Sequence, residues 1–167
     1  VKKPLKSSES DSAPSEAIEQ FLKKSEAKLW DGSSELVPFV VFSKALESAL
    51  KGVRQSGQLL GGLEAIENLL QKEQAGLTKV GSISIAKGRV QAASRLVLLS
   101  NDGSDRFYRS ADNLSRRFGR RVLLCRLDVG SEVLGRFFGK EASVKALLVM
   151  RKDLVSRVLS ALVLPSE

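Results

Sequence analysis

The sequence predicts an α/β protein, a three-layer α-β-α sandwich around a small mixed sheet, with an N-terminal helical extension. Three observations carry this. After Arg89, three near-continuous apolar runs (Arg95–Ser100, Arg121–Leu127 and Val144–Met150) alternate with amphipathic stretches, and strands of that kind are covered on both faces. Before Arg89 the apolar spacing is mostly helical. The chain's 167 residues, 43% hydrophobic and 28% charged, suffice for one well-buried domain with a short tail.

Residues 1–13 are polar and aperiodic and read as a disordered tail. A helix is predicted from Pro14–Ser15, with Ile18, Phe21, Leu22, Leu29 and Trp30 near helical spacing, until Asp31-Gly32-Ser33-Ser34 breaks it. Residues 1–34 are therefore expected to form a flexible extension, and 35–164 the folded domain. Leu36–Gln55 predicts a second helix with the stripe Val37, Val40, Val41, Ala45, Leu46, Leu50 and Val53, ended by Gly57. The Leu59-Leu60 pair and Gly61-Gly62 lead into a third helix, Leu63–Gln74, buried through Leu63, Ile66, Leu69 and Leu70. Residues 75–88 are weakly patterned, with Ser82–Ile85 alternating, and predict an inserted loop or small hairpin. Strand Arg95–Ser100 is followed by a turn and cap at Asn101–Ser104, then a helix Asp105–Phe118. Strand Arg121–Leu127, a short helix Ser131–Phe138, strand Val144–Met150 and a closing helix Lys152–Leu164 complete the order.

Composition narrows the chemistry. There is no His, which removes His-based nucleophile pairs, His general bases and His-ligated metals. The single Cys125 excludes an internal disulfide and a Cys-rich zinc site. Its place in an apolar strand predicts a core residue, and the usage fits a reducing, intracellular compartment. No apolar run is long enough to span a membrane. The start at Val1 reads as a processed or trimmed terminus, consistent with an organellar protein. Asp102, Asp105 and Asp112 read as turn, cap and exposed-helix residues, with no metal site among them. Ser25 to Lys28 and Gly135 to Lys140 imitate a serine acyl-enzyme motif and a phosphate loop. The first lacks its companion motifs; the second has the wrong spacing, with Glu141 where a hydroxyl should hold magnesium. The expectation is a protein that is not an enzyme, with no cofactor and no small-molecule substrate.

The net charge is +8, and residues 89–167 hold 15 Lys/Arg, 12 of them Arg, against 8 Asp/Glu. Arginine suits bidentate phosphate contacts and base stacking, so this bias points to nucleic acid. Arg116, Arg117, Arg120 and Arg121 crowd a helix C-terminus, more cations than capping requires, and predict phosphate contact. Phe118 among them reads as core. Gly61-Gly62 at a helix N-terminus would let an anion approach free N–H groups, with Lys140 and Ser143 beside it.

Three segments carry a resemblance. Val53-Arg-Gln-Ser-Gly57-Gln-Leu-Leu-Gly-Gly62-Leu-Glu-Ala-Ile-Glu-Asn-Leu-Leu70 resembles the helix, short strand and helix that open kink-turn RNA-binding ribosomal proteins. That superfamily includes the archaeal large-subunit protein seven-Ae and its relatives. Arg89–Asp102 is similar to the family's second strand and acidic turn, and Glu132–Val149 to its late helix, glycine-containing loop and last strand. Gly139-Lys140-Glu141 brings the sequence nearest to the bacterial YlxQ-type branch. The resemblance covers about residues 36–164. It implies an RNA-binding ribosomal or ribosome-associated protein, in the mitochondrial matrix or cytoplasm, with rRNA as partner. The implied surface comprises Arg54, Gln58, Gly61, Gly62, Glu64, Asn68, Lys140 and Ser143. Residues 1–34 would contact RNA or neighbouring ribosomal proteins. Kink-turn binders carry Asn-Glu at the start of the helix after the glycine and a Lys one turn later. Here those places hold Glu64, Ala65 and Asn68. That departure keeps two alternatives open: a scaffold that works through protein contacts, and the accessory RNA-binding domain of an rRNA ribose methyltransferase.

Overall fold

The structure, a computed structural model, describes residues 16–33, 35–80, 90, 93–139 and 143–163. Its elements in chain order are α1 (16–24), β1 (Glu26–Lys28), β2 (Leu36–Val40), α2 (Lys44–Gln55), β3 (Leu59–Gly61) and α3 (Leu63–Val80). They continue with β4 (Arg95–Leu99), α4 (Asp105–Phe118), β5 (Val122–Leu127), α5 (Ser131–Gly135), β6 (Ala146–Val149) and α6 (Lys152–Val163). The six strands form one mixed sheet in the order β1-β2-β5-β4-β6-β3. β2, β5 and β4 run parallel, and β6 and β1 oppose their neighbours.

Strand alternation divides the core into two. Leu96, Leu98, Leu123, Cys125, Leu127, Leu147 and Val149 face one layer, against Leu46, Leu50, Leu154 and Leu159. Val97, Leu99, Val122, Leu124, Ala146 and Leu148 face the other, against Ile66, Leu70, Ala111, Leu114 and Phe118. The α-β-α sandwich is therefore built on a sheet apolar on both faces, which is why its strands read as continuous apolar runs. Cys125 is fully buried, and Phe118 is core.

Three expectations are corrected. The helix begun at α1 does not reach Trp30. Ser25 closes it, with both its N–H and its hydroxyl donating to the Leu22 carbonyl, and Glu26–Lys28 pair with Leu36–Pro38. Leu36–Val40 is strand and not the first turn of a helix. Val37 and Val40 are buried on opposite faces of the sheet, and Ser43 supplies a true N-cap by accepting from Leu46 N–H at 3.1 Å. Pro38 suits a strand near the sheet's margin better than a helix interior. Residues 75–80, expected in the insertion, continue α3; the alternating Ser82–Ile85 lie outside the described residues.

The boundary expected between residues 34 and 35 also fails to separate tail from domain. Ile18 and Leu22 of α1 are buried in one core layer and Leu29 in the other. Glu19 accepts a hydrogen bond from Val90 N–H at 3.0 Å, and the Phe39 N–H donates to Ser25 O. Residues 16–33 thus clamp the β2 side of the sheet on both faces, and β1 covers what would be the open edge of β2. Residues 1–15 lie outside the described part.

Candidate nucleic-acid interface

The strand directions bring four segments to one margin of the sheet: the end of β3 with the start of α3, the end of β4, the end of β5, and the approach to β6. Gly61 pairs with Leu147, the Gly62 N–H donates to Ala146 O at 2.9 Å, and Ile66 N–H donates to Gly62 O at 3.0 Å. The two glycines serve different needs. A Cβ on Gly61 would lie 2.9 Å from the Phe138 ring and 3.2 Å from Val144, so this glycine makes room for packing. Gly62 has φ +101° with open space where a Cβ would sit. It permits the turn into α3 and leaves backbone accessible at a helix N-terminus. Glu64, Ala65 and Asn68 are exposed along the first turns of α3, while Ile66 and Leu70 point inward.

Around this helix start lie Arg54 and the residues following α5. Arg54 Nε donates to Phe137 O at 3.0 Å, and its guanidinium lies 5.2 Å from the centre of the Phe138 ring. Gln58 plays a structural part: its backbone accepts from Met150 N–H and donates to Val53 O, fixing the entry to β3. Gly139, at φ +65°, ends the 3-10 turn Arg136–Phe138. Ser143 is exposed beside Val144; Lys140 lies outside the described residues.

Asp102 organises the margin. It accepts from Ser100 Oγ at 2.7 Å, from Ser131 Oγ at 2.8 Å and from Ser131 N–H at 3.1 Å. Ser131 O in turn accepts from Val144 N–H at 3.0 Å, and Ser100 N–H donates to Lys145 O at 2.9 Å. One carboxylate therefore ties the ends of β4 and β5 to the 143–145 segment. Burial alone would raise the Asp102 pKa, but the hydrogen bonds from Ser100 and Ser131 outweigh it and hold the group below the ordinary aspartate range. Asp102, read as a turn residue, thus also accepts from the first turn of α5, while the N-cap of the adjoining α4 is Ser104.

The arginine run makes contacts within the fold. Arg121 is mostly buried, and its guanidinium donates to Gln74 Oε1, Glu73 Oε1 and Leu70 O, each at 3.1 Å. Glu73 also holds Arg95 at 2.8 Å. Arg117 pairs with Glu67, Arg116 with Asp112 at 3.2 Å and with Glu35 at 3.6 Å, and Arg120 is likewise engaged. Asp112, read as exposed, is 2% exposed and also accepts from the Ser33 hydroxyl at 3.5 Å. The run is a structural joint between α4, the 3-10 turn Gly119–Arg121 and α3. Apart from Asp112, one helical turn before Arg116, its acceptors come from distant parts of the sequence, so local charge density could not show these pairings.

Among the described residues no group of His, Cys, Asp or Glu is arranged to hold a metal ion, and no helix is long and apolar enough to cross a membrane. No protein-family model and no curated protein matches the chain. Among solved structures it is similar to a Bacillus halodurans protein of unknown function, at 21% identity over 72% of this chain and 97% of that one, with a TM-score of 0.48.

Proposed function

We propose that the chain is a non-enzymatic RNA-binding protein of the ribosomal kink-turn type, and that it presents RNA with the margin around the start of α3. The observation that carries this reading is Gly62: an open, positive-φ glycine at the first turn of an 18-residue helix. RNA phosphates or the edges of unstacked bases can reach backbone N–H groups there, which a side chain would block. Arg54 and Ser143 lie on elements bordering that approach. The sequence resemblance over residues 36–164 supports this reading, because Gly61, Gly62 and Ser143, which it implies as RNA contacts, border this margin. A ribosomal or ribosome-associated setting, with rRNA as partner, follows from that resemblance. Glu64 and Ala65 replace the family's contact residues, so the expected recognition rests on backbone and shape more than on a polar side-chain triad.

The test is Ala65→Glu with Asn68→Glu, assayed by fluorescence anisotropy on an RNA hairpin with an asymmetric internal loop and on its fully paired counterpart. Both positions are exposed. Acidic residues near a helix N-terminus do not harm the helix, so the unfolding midpoint should hold. Affinity for the looped RNA should fall at least about tenfold, with preference over the duplex lost. An unchanged affinity and preference overturns the reading. A wild-type chain that binds neither RNA yet captures a protein would favour the scaffold alternative.

A further inference from the structure

A second basic surface exists that no run in the sequence marks. Lys51, Arg54 and Gln55 from the last turns of α2 face Arg136 and Phe137 beyond α5 across a groove of about 250 Å³. Among the described residues the only acid lining it is Glu47, one helical turn before Lys51 and 3.9 Å from its amine, an exposed contact of little strength. Among the described residues, no carboxylate forms an ion pair with Arg54 or Arg136. Arg121 differs, being mostly buried and held by Glu73, whereas Arg116 and Arg117 are half-exposed cations with carboxylate partners in Asp112, Glu35 and Glu67.

The groove is continuous with the α3 margin through one side chain. Phe138 fills the space that Gly61 leaves open and carries the Arg54 guanidinium on its ring. Arg54 is further fixed by its Nε bond to Phe137 O, so it is pre-oriented, and less side-chain freedom is lost on binding. An RNA strand leaving Gly62 would reach Arg54 first and the Lys51–Arg136 groove next.

We infer that the groove between α2 and α5, lined by Lys51, Arg54 and Arg136, is the track for the RNA phosphate backbone, and that the Arg116–Arg121 run is not. This rests on the RNA-binding reading above and deepens it: base or shape discrimination belongs to the α3 start, and sequence-independent affinity to the groove. Phosphate contacts of this kind release counterions and set the salt dependence of binding.

The experiment measures affinity for the looped hairpin and its paired counterpart between about 0.05 and 0.2 M salt. The chains are wild type, Lys51→Gln/Arg54→Gln/Arg136→Gln, and Arg116→Gln/Arg117→Gln. The groove variant should lose about two units of the slope of log affinity against log salt, with a roughly 100-fold weaker affinity that is equal for both RNAs. The Arg116/Arg117 variant should keep the wild-type slope. Because Arg54 also supports Phe137 and Phe138, Lys51→Gln/Arg136→Gln is run beside it, and it should lose about one unit with no change in unfolding midpoint. Wild-type slopes in both groove variants, while Ala65→Glu/Asn68→Glu still abolishes loop preference, overturn the groove and leave the RNA reading standing. A slope lost in the Arg116/Arg117 variant instead also overturns it. Absence of wild-type RNA binding defeats the underlying reading and the groove with it.

Discussion

If residues 16–33 are a clamp on the domain, truncating their buried side chains must destabilise the whole chain. Leu22 and Leu29 are each 2% exposed, on opposite faces of the sheet. A buried Leu→Ala change costs about 2–5 kcal/mol. Both sites lie at the sheet's margin, where the surroundings can partly collapse, so about 2–3 kcal/mol each is expected. For a chain of this length that is a fall in Tm of roughly 4–12 °C per variant. The two faces share few neighbours, so the double variant should lose the sum to within about 0.5 kcal/mol. Urea and thermal unfolding followed by circular dichroism supply the numbers, with exposed Lys23→Ala as the control. Two variants within about 0.5 kcal/mol of wild type would refute the clamp and restore the reading of a dispensable extension.

Glu73→Gln should cost about 1–3 kcal/mol in urea unfolding, because it leaves two largely buried arginines, Arg95 and Arg121, short of a carboxylate. Glu67→Gln, which breaks only the exposed pair with Arg117, should cost less than about 1 kcal/mol. Gly61→Ala should destabilise by about 1–3 kcal/mol through collision with Phe138, and Phe138→Leu should recover part of it in the double variant. Non-interacting costs in that cycle would show that the ring does not occupy the glycine's space. Asp102 titrates lower when folded than when unfolded, so its contribution is complete above the unfolded pKa and disappears as pH falls through the folded one. The stability gap between wild type and Asp102→Asn should therefore be constant from about pH 7 to 5 and shrink below about pH 4. A gap that widens on acidification contradicts the hydrogen-bond account.

The strands β4, β5 and β6 were legible because burial on both faces leaves a run with no polar interruption. The bounds of α4 were legible for a local reason too: Ser104 caps it, donating no side-chain charge but accepting Phe107 N–H, and Gly119 stops it at φ +68°. Where one spacing serves two geometries, the reading failed. Val37 and Val40, three apart, fit a helical stripe, yet in a strand they reach opposite faces, and both faces here are core. Ile18, Leu22 and Leu29 fit one helix equally well, but Leu29 is needed on the far side of the sheet, which only a break at Ser25 allows. At the candidate site, Gly62 and the exposed start of α3 were visible because they are one short stretch. Lys51 facing Arg136, and Glu73 between Arg95 and Arg121, are products of topology, and no window of sequence contains them.

The same pairing explains why the arginine run matters to the α3 margin without belonging to it. α3 is fixed at its start by the Gly62 N–H bond to Ala146 O, and again near residues 70–74 by Arg121 and Arg95. Between these two attachments lie about two to three turns of helix, roughly 12–18 Å at 1.5 Å per residue. Anchors that far apart set the direction of the axis and not only its position. The axis direction decides where the unpaired N–H groups of the first turn point, and with them the positive end of the helix dipole. Arg121, part of the run that the sequence offers as phosphate ligands, thus helps to fix the helix direction. Charge gathered along a chain measures what folding must neutralise as much as what a partner can use. The cations available to a polyanion are those left facing solvent after the carboxylates have been assigned, and Arg54 and Arg136 in the groove between α2 and α5 are among them.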